Sequence, residues 1–66
     1  MKIKVNGEEL KTKAKTIEEL IKELGVENQV MAAAKNMEVV KKDEWNKELL
    51  SESDEIELLR FVGGGE

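Results

Sequence analysis

Residues 16–25, TIEELIKELG, carry helix signals at both ends and limit what the rest of the chain can form. Thr16 is predicted to cap the first turn, and Glu19, three residues later, completes a capping box. Gly25 is predicted to end the helix in the left-handed conformation. The helix presents one apolar stripe, formed by Ile17, Leu20, Ile21 and Leu24. A short helix with one stripe needs a second layer against it, and a sheet supplies that layer.

The segments around this helix show strand patterns. In MKIKVNGEEL, Ile3 and Val5 alternate with lysines, and Asn6-Gly7 is typical of a two-residue hairpin turn in which both residues have positive φ. A second strand is predicted over residues 9–13, with Leu10 inward. Because this strand is weakly apolar, we expect it at a sheet edge.

After the helix, residues 29–42 predict a strand, a turn and a second strand. We expect one face of the first strand to pack close to the helix, through the small side chains of Val30, Ala32 and Ala34. Asn36 is predicted in the turn, and Val39 and Val40 in the strand that follows. Met31 is predicted to pack in the core and Met37 against the turn. Further on, we expect Asp43 to cap one helical turn, Trp45 to cover the end of the sheet, and residues 51–54 to form a turn.

The last predicted strand, EIELLRFV, is apolar on both faces. Ile56, Leu58 and Val62 share one face with Arg60, and the other face carries Glu57, Leu59 and Phe61. A strand with one wet face does not normally place two large apolar groups on that face. We therefore predict that Leu59 and Phe61 are exposed and dock a partner.

The predicted order is strand, strand, helix, strand, strand, short helical turn, strand. One helix against a mixed sheet of four to five strands is an α+β fold, and this order is that of the ubiquitin-like β-grasp. We predict one β-grasp domain over residues 1–62 and a flexible glycine-rich tail over residues 63–66.

The composition excludes several classes of function. The chain has 66 residues, no cysteine and no histidine, which removes thiol chemistry and the commonest acid–base group. Its net charge of −4 argues against nucleic-acid binding, and no apolar run approaches the ~20 residues that span a membrane. We expect a cytoplasmic protein. The acidic residues near the last strand are predicted to form a solvated rim without a metal or catalytic role: Glu52, Asp54, Glu55 and Glu57.

The glycine run does not read as a phosphate loop, because no helix follows it to supply backbone donors. Taken with the order of elements, the run resembles the end of the sulfur-carrier proteins of thiamine biosynthesis, the ThiS family. The resemblance covers the whole chain and rests on MKIKVNGEEL, TIEELIKELG, NMEVVKKDEW and DEIELLRFVGGG.

The resemblance implies a carrier and not an enzyme. In such proteins a ThiF-like partner uses ATP to adenylate the C-terminal glycine, sulfur converts it to a thiocarboxylate, and a ThiG-like thiazole synthase receives the sulfur. Gly65 would carry the reacting carbonyl, Gly64 would complete the diglycine and Gly63 would extend it. The chain itself would bind no cofactor and would be a monomer when alone.

Glu66 departs from the family pattern, because it locks the Gly65 carbonyl in a peptide bond. Three explanations are open: a peptidase removes it, it is left from a tag, or the protein is not charged with sulfur. Asn36-Met37 is a smaller departure, since glycine is more usual after the asparagine. The alternatives are a MoaD-like carrier for molybdopterin synthesis, a carrier for another sulfur pathway, and a ubiquitin-like binding module that is never activated.

Overall fold

A computed structural model describes residues 1–61. The elements follow the predicted order: β1 (Lys2–Val5), β2 (Glu8–Lys11), α1 (Ile17–Leu24), β3 (Val30–Lys35), β4 (Glu38–Val40), one turn of 3-10 helix (Lys42–Glu44) and β5 (Glu55–Arg60). The five strands form one sheet in the order β2-β1-β5-β3-β4. β1 and β5 are parallel, and the other neighbours are antiparallel. The predicted α+β class, with a mixed sheet on one helix, is confirmed, and β2 lies at an edge as expected.

The first hairpin turns at Asn6 and Gly7, whose φ angles of 51° and 86° are those of the predicted turn. Ile3 is buried and Lys2 and Lys4 are exposed, so the alternation of β1 is also confirmed. β2 ends at Lys11, two residues earlier than predicted. Thr12, the next residue, is buried, and its hydroxyl accepts from Ala14 N at 3.0 Å.

The Thr16 cap and the Gly25 stop of α1 are confirmed, but the Glu19 half of the predicted capping box is not formed at Thr16 N. Thr16 Oγ1 accepts from Glu19 N at 3.1 Å, and Gly25 has a φ of 72°. The Glu19 carboxylate reaches back to Lys15 N at 2.8 Å, one residue before the cap. Leu24 was expected in the buried stripe but is 37% exposed, because it is the last residue of the helix and lies beyond the edge of the core.

The core lies between α1 and one face of the sheet. Its largest fully buried side chains are Ile3, Ile17, Leu20, Ile21 and Ile56. Trp45 is only 6% exposed and its indole Nε1 donates to Val40 O at 2.9 Å, which confirms its predicted structural role. Asp43 is not a cap, since the residue before the 3-10 turn is Lys41 and no side chain caps that turn.

β3 contains a bulge between Val30 and Ala32, where the register with β5 shifts. An extra residue in one strand changes which side chains face the core beyond it. Val30 and Ala33 are buried, whereas Ala32 and Ala34 are half-buried on the other face. The prediction that Val30, Ala32 and Ala34 share the core face is therefore right for Val30 and wrong for Ala32 and Ala34.

Both methionines of this region are exposed, contrary to prediction. Met31 is 63% exposed at the bulge, where it has no partner in the paired register with β5. Met37 is 92% exposed and follows Asn36 in the β3–β4 turn, where their φ angles are 72° and 51°. Asn36 thus takes the turn as predicted, and Met37 fills a position that favours glycine.

Candidate docking surface and C-terminal end

The sheet face opposite α1, called here the outer face, is divided into a charged half and an apolar half. On the β1–β2 side, Lys4 lies opposite Glu9 of β2 and next to Glu55 of β5. On the β5–β3–β4 side, Ala32 lies opposite Leu59, and Ala34 lies between Glu57 and Val39. Apolar side chains therefore collect on only one half of this face.

The apolar half contains an open groove of about 520 Å³. Its lining residues come from the first hairpin turn and three strands: Asn6, Gly7, Ala32, Ala33, Ala34, Val39, Glu57, Leu58 and Leu59. Val39 is 78% exposed, so its side chain is available to a partner. A contiguous exposed apolar surface of this kind is typical of protein–protein contacts.

The two predicted docking residues are exposed, Leu59 at 62% and Phe61 at 60%. Leu59 lies within the groove, and Phe61 follows directly after β5, held by its backbone N–H, which donates to Gln29 O at 2.7 Å. The structure thus brings Leu59 together with Ala32, Ala34 and Val39. The sequence analysis did not assign these three residues to the docking surface. Val39 could have been found, because one of two consecutive valines in a strand must face away from the core. Gly63, Gly64, Gly65 and Glu66 lie outside the described residues, as does Val62.

Asp54 does not belong to a solvated rim. It is 8% exposed, and its carboxylate accepts from Ser51 N at 2.7 Å and from Asn36 Nδ2 at 3.0 Å. Glu52, Glu55 and Glu57 are exposed as predicted. These bonds make Asp54 a structural link between the turn before β5 and the β3–β4 turn.

Lys35 forms the shortest ion pair between described residues. Its Nζ is 2.7 Å from Glu48 Oε2 and donates to Leu49 O at 2.9 Å. The hydrogen bond to Glu48 raises the pKa of Lys35 above its ordinary value, against the opposing effect of burial. This pair joins β3 to the long loop before β5.

Comparison with known proteins decides the family. The model of the ThiS family matches residues 3–65. The chain belongs to the ThiS family. It is 32% identical over 65 residues to the sulfur carrier protein ThiS of Bacillus subtilis, an alignment that covers 96% of this chain and 98% of that protein.

Two solved structures extend the similarity within the ThiS family to the fold. The crystal structure of the thiamine biosynthesis protein ThiS from Geobacter metallireducens has a TM-score of 0.80 at 27% identity, covering 98% of this chain and 100% of that one. A solution structure of a thiamine biosynthesis protein from the same organism has a TM-score of 0.78 at 26% identity, covering 100% and 90%. The predicted β-grasp fold is therefore confirmed.

The chain is also similar to part of two larger proteins. It is 38% identical to a thiazole synthase of Paramagnetospirillum magneticum, over 98% of this chain and 20% of that protein. A thiazole synthase of Magnetococcus marinus is 37% identical, over 100% of this chain and 21% of that protein. The chain thus spans about a fifth of the length of these two relatives. Within residues 1–61, no helix is long and apolar enough to cross a membrane.

Proposed function

We propose that this chain is the sulfur carrier of thiazole formation in thiamine biosynthesis, and that it is a carrier and not a catalyst. The observation that carries the proposal is the ThiS family match, which runs through the glycines and ends at residue 65. In this proposal the chain binds no cofactor, and the ATP is used by its partner. The proposal includes a location in the cytoplasm, where ATP would be available to that partner.

The proposed chemistry takes place at the Gly65 carboxylate. A ThiF-like enzyme joins this carboxylate to AMP and releases pyrophosphate, and a sulfur nucleophile then displaces AMP to leave a thiocarboxylate. Gly64 and Gly63 let the tail pass close to the enzyme backbone, because glycine has no side chain to obstruct it. Glu66 must be absent for this step, since a peptide-bonded carbonyl carries no free carboxylate.

The proposed partners are the ThiF-like enzyme and a ThiG-like thiazole synthase. The second is supported by the similarity of this chain to a segment of two proteins named thiazole synthase. We propose that Leu59 and Phe61, with the groove beside them, supply the recognition surface for these partners. In this proposal the folded domain binds the partners and the tail carries the reacting group. The predicted division between domain and tail at residue 62 is kept.

The test is the charging reaction itself. A chain ending at Gly65 is incubated with the adenylating enzyme, ATP and a sulfur donor, and its intact mass is measured. We expect the mass to rise by the exchange of one oxygen for one sulfur. The chain ending at Glu66 is the matched control, and it should remain uncharged. Failure of the Gly65 chain, with an enzyme proven on its own carrier, would overturn the proposal.

A further inference from the structure

β5, which leads into the tail, has unequal neighbours on its two sides. β3 pairs with it from Ile56 to Arg60. β1 pairs with it only at Glu55 and Ile56, and the last backbone bond from this side runs from Asn6 N to Ile56 O at 2.9 Å. Beyond that bond the chain turns away at Gly7, so the second half of β5 has no strand beside it on the β1 side.

The Asn6 side chain continues the pairing where β1 ends. Its Oδ1 accepts from Leu58 N at 2.9 Å, and its Nδ2 donates to Leu58 O at 3.4 Å. The amide therefore acts as one more step of the strand ladder, next to Leu59. Glycine would satisfy the φ of 51° at this position, but it would supply neither bond.

Asn36 makes a similar contact at the start of β5. Its backbone N donates to Glu55 O at 2.7 Å and its Oδ1 accepts from Glu55 N at 3.0 Å. Both hairpins of the sheet thus place an asparagine of positive φ against the same strand. Asn36 holds the beginning of β5, whereas Asn6 holds its middle, at Leu58, on the side that β3 does not occupy.

We propose that Asn6 is a positioning residue for sulfur charging, because its amide holds β5 at Leu58 on the side opposite β3, three residues before Phe61. This inference rests on the proposed function. A fixed departure point means that docking through Leu59 and Phe61 also sets where the tail begins. A small displacement of a reacting group lowers the reaction rate, because the group must then be brought into alignment during the reaction and loses entropy in doing so.

The experiment compares three variants of the chain ending at Gly65: Asn6→Gly, Asn6→Asp and Asn36→Gly. For Asn6→Gly we expect the Leu58 amide to exchange hydrogen about tenfold faster, and kcat/KM for charging to fall about tenfold with a loss in kcat. Asn6→Asp keeps the acceptor for Leu58 N but sets a second carboxylate oxygen against Leu58 O, so it should restore only part of the exchange protection and of kcat/KM. Asn36→Gly should lower stability but leave kcat/KM unchanged below its unfolding temperature.

The outcomes separate this inference from the proposed function. If the parent chain is not charged, the proposed function fails. Hydrogen exchange at the Leu58 amide still tests, without any enzyme, whether the Asn6 side chain holds β5. If Asn6→Gly leaves Leu58 exchange unchanged, or is charged as fast as the parent chain, the inference is overturned. Equal losses in Asn6→Gly and Asn36→Gly would also overturn it, as would a change in KM alone, which would mean that Asn6 only contacts the partner.

Discussion

Met37 shows at the scale of one residue how a local preference can be overridden. Its φ of 72° lies in the left-handed region, and its side chain is 92% exposed, so no packing compensates for the strained backbone. For residues other than glycine this conformation costs roughly 1–2 kcal/mol. The pairing of β3 with β4 imposes it, because a two-residue hairpin of this type requires positive φ at both positions.

We predict that Met37→Gly stabilises the protein. The gain in unfolding free energy should be about 0.5–1 kcal/mol, since glycine removes the strain but returns part of the gain as chain entropy. For a domain of this size that corresponds to a rise in Tm of roughly 2–8 °C. Thermal unfolding followed by circular dichroism would measure it.

The matched control is Met31→Gly, a second exposed methionine, which lies within β3 and does not have positive φ. It should be destabilised by roughly 0.5–1 kcal/mol, because glycine weakens a strand. A lower Tm for Met37→Gly would contradict the strain argument.

Single residues were predictable where the signal was local. The exposure of Leu59 and Phe61 followed from the alternation of one strand, and the burial of Trp45 followed from its type and position. Asp54 was not predictable, because its partner Asn36 is 18 residues away and its burial depends on how two turns meet. The Asn6 amide was missed for the same reason, since Leu58 lies 52 residues further on.

The helix and the strands differ in how far their sequences determine them. The ends of α1 were predicted because caps act within four residues. The face of β3 was not, because its bulge exists only in the register with β5, a strand that begins 20 residues after β3 ends. The alternation of apolar residues along β3 does not show where a bulge inserts an extra residue. Alanine is also small enough to lie on either face of the sheet.

The Lys35–Glu48 pair, which joins β3 to the loop before β5, should make stability depend on pH in the alkaline range. The pKa of Lys35 is raised in the folded state, so the contribution of the pair is complete from neutral pH up to 10.5 and is lost as the pH rises through the folded pKa. We expect Lys35→Met to lower the unfolding free energy by up to about 1 kcal/mol at pH 7. That difference from the parent chain should shrink above pH ~10.5, as measured by urea unfolding.

Lys22→Met serves as the control for this prediction. Lys22 is 3.9 Å from Glu18 and both side chains are well exposed, so its loss should cost less than about 0.5 kcal/mol. A Lys35→Met difference that stayed constant from pH 7 to beyond the folded pKa would mean that packing, and not the charge pair, produces the effect.

At the scale of the whole molecule, the recognition surface that we propose occupies half of one face of the sheet. α1 occupies the core side of the sheet, and charged residues of β1 and β2 occupy part of the outer face. The apolar groove and the exposed Leu59 and Phe61 lie along the strand that leads into the tail. A partner that docks there is therefore close to the end on which we propose it acts.

We predict that Leu59→Asp combined with Phe61→Asp weakens binding to the adenylating enzyme about 100-fold or more, as expected for two apolar anchors at the centre of an interface. The fold should persist, because both side chains are more than half exposed. Calorimetric titration would measure the binding, and circular dichroism would report the fold.

Leu49→Asp is the matched control, because Leu49 is 64% exposed and lies outside the groove. It should bind as the parent chain does. Unfolding of the double variant would mean that Leu59 and Phe61 are core residues, and unchanged binding would mean that partners use another surface.

The central place of β5 in the sheet also bears on how the protein is made. β5 is the last strand within residues 1–61, yet it separates β1 and β2 from β3 and β4. Without it the sheet falls into two hairpins, and isolated hairpins are marginally stable in water. A nascent chain cannot close its sheet until residue 60 has left the ribosome, and a prematurely terminated chain stays open to proteases. Only chains that were synthesised through β5 can therefore complete the fold, and β5 is the strand that precedes the tail.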